Sequence, residues 1–199
     1  LPARQFVQDG EVWRERVVGL DTSGNLAFGL DASEADPTTL PPAPSGAGGA
    51  MAEVQSGLGG LVETLSARAA KGEAFRALFI DYGPAGGTPG DTLRAYCNGE
   101  QVHPLAAPGE TDLTVDVDFA RLARLAAAGG LDVAGPTPQG QFLGALGLQT
   151  RLDHLVKASP ADAEALFAGA QKLVDPSEMG TRFRAICLSS QGLGQPAGF

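Results

Sequence analysis

The chain has 199 residues, a formal net charge of −9 and 43% apolar residues, enough for one domain of ordinary size with a real core. No apolar run approaches the roughly 20 residues of a membrane-spanning helix, and no basic-then-apolar leader resembles a signal peptide. With no basic cluster to release counterions, nucleic acid and anionic membranes are disfavoured, and a protein, peptide or small molecule is the expected partner.

In chain order, Arg4–Gln8 and Val12–Leu20 read as strands, Thr22 to Asn25 as a turn, and Leu26–Leu30 as the returning strand of a hairpin or small meander. Pro37–Ala50, rich in Pro, Gly, Ser and Ala, reads as a flexible loop. Met51, Val54, Leu58, Leu61 and Leu65 then recur at spacings of three and four, which predicts a helix ending near Gly72, weakened by Gly57, Gly59 and Gly60. Phe75–Ile80 is apolar at every second position on both faces, the pattern of a central strand covered on two sides in a layered α/β domain. Val115, Phe119, Leu122 and Ala126 predict a second helix, with Asp112 and Thr114 as caps and Gly129-Gly130 as its end. Leu131–Gly135 reads as a short strand, and Phe142, Leu143 and Leu146 belong to a compact helical stretch. Ser159-Pro160 opens a further helix, buried through Leu166, Phe167, Ala170 and Val174 and stopped by Asp175-Pro176. Arg182–Ser189 is a final strand, and residues 191–199 are expected to be a disordered tail with nothing to pack.

The glycine-rich stretch after Ile80, GPAGGTPGDT, lacks the lysine of a P-loop and leads toward the strand-like TLRAY, so it is no phosphate cradle. Asp81-Tyr82 remains, at the carboxyl end of a central strand, where open α/β sheets gather ligands; the bland alternative is a capped turn with a packed tyrosine. His103 and His154 are isolated, Cys97 and Cys187 have no metal-ligand spacing, and no metal site is expected. Two distant cysteines make a disulfide framework improbable and fit a reducing compartment, each reading as a small buried apolar residue. Asp112, Asp116 and Asp118 cluster near the predicted helix start, where the macrodipole alone justifies carboxylates and a substrate guanidinium is a further option.

Six segments in order carry a resemblance: LPARQF (Leu1–Phe6), LFIDYG (Leu78–Gly83), GDTLRAY (Gly90–Tyr96), HPLAAPGETDLTVDVDF (His103–Phe119), QGQFLGALGLQTR (Gln139–Arg151) and MGTRFRAICL (Met179–Leu188). Together the series resembles the MidA family of class I S-adenosylmethionine-dependent methyltransferases, which includes a mitochondrial assembly factor for respiratory complex I. The resemblance implies an α/β Rossmann-like fold with Phe75–Ile80 as fifth strand and Leu131–Gly135 and Arg182–Ser189 as the last two. Residues 1–30 become a β-hairpin insertion, Ser159–Val174 part of a helical insertion, and residues 1–190 the C-terminal half of the domain. Leu1-Pro2-Ala3, with no initiator Met, fits processing or a piece of a longer polypeptide, and half an open sheet leaves an edge liable to association.

The implied activity is methyl transfer from S-adenosylmethionine to arginine in a protein partner such as a complex I subunit. Its setting is the cytoplasm in a bacterium, or the mitochondrial matrix in a eukaryote. The implied catalytic residues are Asp81 and Tyr82, with Gln139, Asp112 and Asp118 on the substrate side and the cofactor loop expected upstream of Leu1. Gly83, Asp91, Thr92 and Thr114 also match the family pattern. Gly99, His103, Asp116 and Pro138 depart from it, where the family commonly carries His, Asp, His and Thr. Those departures motivate an alternative, a non-catalytic assembly or interaction protein that retains the fold.

Overall fold

The computed structural model describes residues 2–36, 40, 49–86 and 90–199. Its backbone falls into two compact units, Leu1–Gly57 with Thr88–Asp116, and Leu58–Gly87 with Val117–Phe199. No helix among the described residues is long and apolar enough to cross a membrane.

The first unit is built on β1 (Ala3–Asp9), β2 (Val12–Leu20), β3 (Leu26–Glu34) and β4 (Met51–Gln55), an antiparallel sheet in the order β3-β2-β1-β4. The three expected strands are present and extend to a fourth. Met51–Gln55, expected to begin a helix, instead pairs with β1 from Met51 opposite Val7 to Gln55 opposite Ala3. Tertiary pairing overrides the helical spacing here because Gly57, Gly59 and Gly60 weaken the local preference that a helix would need to reach back to Met51. One face of the sheet buries Phe6, Trp13 and Ala52 together with Leu40. Apart from Leu40, Gly49 and Ala50, the Pro37–Ala50 segment expected as a flexible loop lies outside the described residues. A smaller sheet of β6 (Arg94–Cys97), β7 (Glu100–Val102) and β8 (Asp112–Thr114), in the order β7-β6-β8, completes the unit.

The second unit holds α1 (Gly57–Ala70) apart from its first residue, β5 (Arg76–Tyr82), α2 (Phe119–Ala128), β9 (Asp132–Pro138), the helices α3 (Gln139–Ala145), α4 (Leu148–Ala158), α5 (Ala163–Val174) and α6 (Met179–Arg182), and β10 (Phe183–Ser189). Its sheet runs β5-β10-β9, with the last strand antiparallel to both neighbours. This is the arrangement implied for the closing strands of a class I methyltransferase. Leu58, Val62 and Leu65 of α1 and Phe119, Leu122 and Ala126 of α2 meet Ile186 and Leu188 of β10 in one buried cluster. Full burial of such a side chain is worth about 1.5–3 kcal/mol, so this cluster fixes both helices against the sheet.

Phe119, Leu122 and Ala126 form the buried face of α2 as their spacing placed them, but Val115 lies before the helix and the cap is elsewhere. Asp112 and Thr114 lie in β8, paired with Tyr96 and Arg94, and the helix is capped by Asp118, whose Oδ1 accepts from the Arg121 amide at 2.8 Å. At its other end Gly130 takes φ +79°, and Leu131 N–H reaches Ala126 O while Gly130 N–H reaches Ala127 O, the Schellman pattern. Ser159 closes α4 by donating its amide to Leu155 O, and Pro160–Asp162 forms a single 3₁₀ turn before α5. No residue of α5 is fully buried and Phe167 is 51% exposed, contrary to the buried helix expected there. The tail is packed too: Phe199 lies 5.0 Å from the Phe142 ring, and the Arg76 guanidinium donates to Leu193 O and Gly194 O.

Candidate active site at the end of β5

The run Arg76–Tyr82 alternates: Ala77 and Phe79 pack on the helical cluster, while Leu78 and Ile80 are exposed on the other face, so β5, outermost of its three described strands, is covered on one side and is not the central strand covered on both that was expected. That alternation carries Asp81 and Tyr82, both half-buried, to the carboxyl end of β5. Across the sheet Arg184 stands opposite both Asp81 and Pro138, and Phe183 stands opposite Tyr82. The register therefore gathers Asp81, Tyr82, Arg184 and the Pro138-Gln139 step at one end of the sheet.

The turn that follows is held by its backbone. Val117 N–H donates to Tyr82 O at 3.0 Å, Gly83 N–H donates to Arg182 O at 3.2 Å, and Arg184 Nε donates to Gly83 O at 3.0 Å. Gly83 is buried, and a Cβ there would overlap the Val117 carbonyl oxygen and crowd the Phe119 ring at 3.3 Å. A side chain is thus excluded by close approach, with the adjoining Phe119 locked in the core.

Asp81 Oδ1 accepts from the Tyr82 amide at 2.8 Å, which orients the carboxylate. The Tyr82 ring meets Phe183 edge-on at 5.5 Å, and the Arg182 guanidinium lies 5.2 Å from its centroid, a cation–π distance. Arg182 and Arg184 were not singled out in the sequence. The signal was available: in an antiparallel closing strand the leading Arg-Phe-Arg of RFRAICLS must lie beside the end of β5.

The other candidates are placed differently. Gln139 is buried and its Nε2 donates to Leu173 O at 2.8 Å, tying the start of α3 to the end of α5. Asp118 serves as the α2 cap one residue beyond Val117. Asp112 belongs to the first unit, exposed on β8. That unit also places Asp91 and Thr92 on a row of facing side chains, Arg16, Gln5 and Glu53, that are direct neighbours across β2, β1 and β4. Gln5 Nε2 donates to Glu53 at 2.7 Å and to Asp91 at 2.9 Å, and Arg16 pairs with Asp91 at 3.0 Å. Thr92 donates its hydroxyl to Glu53 and accepts the Asp116 amide at 2.9 Å. Among the described residues no three His, Cys, Asp or Glu side chains are grouped to hold a metal ion.

The strand order and the carboxylate at the end of β5 define a methyltransferase-like α/β sheet. The family model described as "Putative S-adenosyl-L-methionine-dependent methyltransferase" matches residues 1–137, and the chain belongs to that family. It is 37% identical over 193 residues to the human "Protein arginine methyltransferase NDUFAF7, mitochondrial", covering 94% of this chain and 42% of that protein. The similarly named Caenorhabditis elegans homolog is 32% identical over 211 residues, covering 100% of this chain and 49% of that protein. The chain thus spans less than half the length of these relatives. Among solved structures, an uncharacterized COG1565 superfamily protein from Burkholderia thailandensis superposes with a TM-score of 0.79 at 25% identity, over 99% of this chain and 54% of its own. A COG1565 superfamily member from the same organism, bound to S-adenosyl-homocysteine, shares the fold with a TM-score of 0.81 at 23% identity, over 100% of this chain and 52% of its own.

The described residues do not by themselves fit the cofactor. Class I folds hold it on a Gly-rich turn between a parallel strand and a helix. Among the described residues the glycine-bearing turn after β5 leads to β6, and its Gly83 is filled by Val117 and Phe119.

Proposed function

We propose that the chain forms the acceptor side of an S-adenosylmethionine-dependent methyltransferase that modifies arginine in a protein partner. Asp81 and Tyr82 receive the guanidinium in this reading. The observation that carries it is the backbone clamp on the Tyr82-Gly83 turn: Val117 and Arg184 hold the turn, so the two side chains are not needed to do so. Among the described residues no hydrogen bond reaches Asp81 Oδ2, which leaves an acceptor for a cationic donor. A carboxylate pairs with a guanidinium through charge-assisted bonds that fix the plane of the group, a geometry an ammonium does not reproduce. The Tyr82 ring, which already meets the Arg182 guanidinium at 5.2 Å, stands beside that carboxylate as the aromatic wall of the proposed site.

Gln139 shapes the neighbouring wall through its bond to Leu173 O, and Asp112 and Asp118 shape the segment that presents the substrate. The cofactor-binding part of the site lies outside these residues in this account. A complex I subunit is the substrate the family resemblance suggests, in the bacterial cytoplasm or the mitochondrial matrix. Titration of S-adenosylmethionine by calorimetry tests this division. The chain alone should give no saturable heat, whereas a polypeptide extended to the relatives' length should bind and transfer methyl to arginine. A folded extended protein that binds no cofactor contradicts the proposal.

A second reading, a non-catalytic assembly protein, is favoured by Asp116. It is buried, its amide and carbonyl are bonded to Thr92 and Gln55, and it occupies a position where the chain departs from the family pattern. Full cellular function after joint substitution of Asp81 and Tyr82 would select that reading.

A further inference from the structure

The β2–β3 ribbon has a face that the rest of its unit covers only in part. Register pairs Arg16 with Leu30, Val18 with Phe28 and Leu20 with Leu26, so all six side chains share one side. At the middle of that face Phe28 lies 3.6 Å beneath the Arg16 guanidinium and 6.0 Å from the His103 ring. Around and beyond that covered point, Val18, Leu20, Leu26 and Leu30 are 52%, 71%, 41% and 45% exposed. Isolated surface leucines need no explanation, but four aliphatic side chains grouped on one ribbon face mark a contact surface.

The same ribbon presents an open edge. β3 is the outermost strand of its sheet, and among the described residues nothing pairs with its far side. Natural edges are guarded by charge, proline or a bulge. The second half of β3 has such guards: Asp31, Glu34 and an irregular register opposite Arg14 to Arg16. Leu26 to Leu30 has none, and its register with β2 is regular.

We propose that Leu26 to Leu30 pairs antiparallel with the same segment of a second copy of this chain, about a two-fold axis at Phe28. In that register Leu26 faces the partner's Leu30, and Ala27 faces the partner's Gly29. Each contact occurs twice, and the four leucines lie side by side on the exposed face. Asp31 falls opposite the partner's Asn25, so no acidic pair is opposed even though each chain carries a charge of −9. A slip by one residue would set Leu26 against the partner's Asp31 and Leu30 against the partner's Ala27, on mismatched faces. The segment is therefore complementary to itself in both apolar pattern and charge. This inference does not rest on the methyltransferase reading.

Sedimentation velocity of the full chain across the micromolar range tests it. The wild type should shift from monomer to dimer with concentration. L26K/L30K sets like charges opposite one another at both contacts and should weaken the dimer at least about tenfold. L26K/L30E sets opposite charges at the same contacts and should restore it. A wild type that stays monomeric, or double variants that behave alike, overturns the proposal. So does a dimer that survives L26K/L30K and is lost in Ile80→Lys on β5. Flotation with phosphatidylcholine vesicles that L26K/L30K abolishes would assign the patch to lipid and also overturn it. If L26K/L30K fails to fold by circular dichroism, hydrogen exchange of the wild type decides: amides 26–30 slow with rising concentration if the pairing is right and are unchanged if it is wrong.

Discussion

Two segments that match the family pattern are held in place by opposite means. The Tyr82-Gly83 turn is fixed by backbone groups of Val117, Arg182 and Gly83 and by one arginine, with a single side-chain bond from the Tyr82 amide to Asp81, whose role as a ligand group is the proposal. Asp91-Thr92 is fixed by its own side chains, which bond Gln5, Arg16, Glu53 and the Asp116 amide. The contrast teaches that a motif match does not by itself mark a catalytic residue. A carboxylate already engaged by Gln5 and Arg16 holds the fold, whereas the one at the end of β5, beside a backbone-clamped turn, is the one proposed to hold a ligand.

The contrast breaks most visibly at Gly83. Gly83→Ala should cost about 1–3 kcal/mol in urea denaturation, because the methyl must displace the Val117 carbonyl. A neutral Gly83→Ala would show the clamp to be loose. In the other segment, Thr92→Val should cost about 1–2 kcal/mol by leaving the Asp116 amide and Glu53 without their shared hydroxyl. Asp118→Ala removes the α2 cap and should cost about 1 kcal/mol, read in the same denaturation experiment.

The smallest effect sharpens the rule that exposed side-chain bonds weigh little. The Ser177 hydroxyl and amide hold the Asp175 carboxyl below its ordinary value of 3.8. The folded chain then binds that proton less readily than the unfolded one, so the contribution is present above the ordinary value and lost as pH falls through the lowered one. Asp175→Asn should lower the Tm at pH 7 by less than about 2 °C, and the difference should vanish in strong acid. A larger gap that persists in acid would contradict this assignment.

Much of the fold was legible in the sequence because the signals were local. Strand-like runs marked β1 to β3, β5 and β10, and the spacing of Phe119, Leu122 and Ala126 marked the buried face of α2. What escaped was set by pairing between distant segments. Met51–Gln55 has helical spacing but is a strand because β1 lies beside it, and Asp112–Thr114 is drawn into β8 by β6. The tail had too few apolar residues to predict its packing, yet Phe199 finds Phe142. The place of Asp81 and Tyr82 at the end of an apolar strand was readable in the sequence. The link between Arg16, Gln5, Glu53 and Asp91 was not, since only cross-strand register brings them together.

The central claim is that Asp81 is presented for the substrate and is dispensable for the fold. Asp81→Asn, made in a polypeptide of the relatives' length, gives the most direct measurement when methyl transfer to an arginine peptide is read beside the Tm and the S-adenosylmethionine affinity. The account predicts a fall of about 10²-fold or more in kcat/KM, the scale of a lost charge-assisted pair, with Tm and cofactor affinity unchanged. Transfer at the wild-type rate, or a loss that merely follows a lowered Tm, would contradict it.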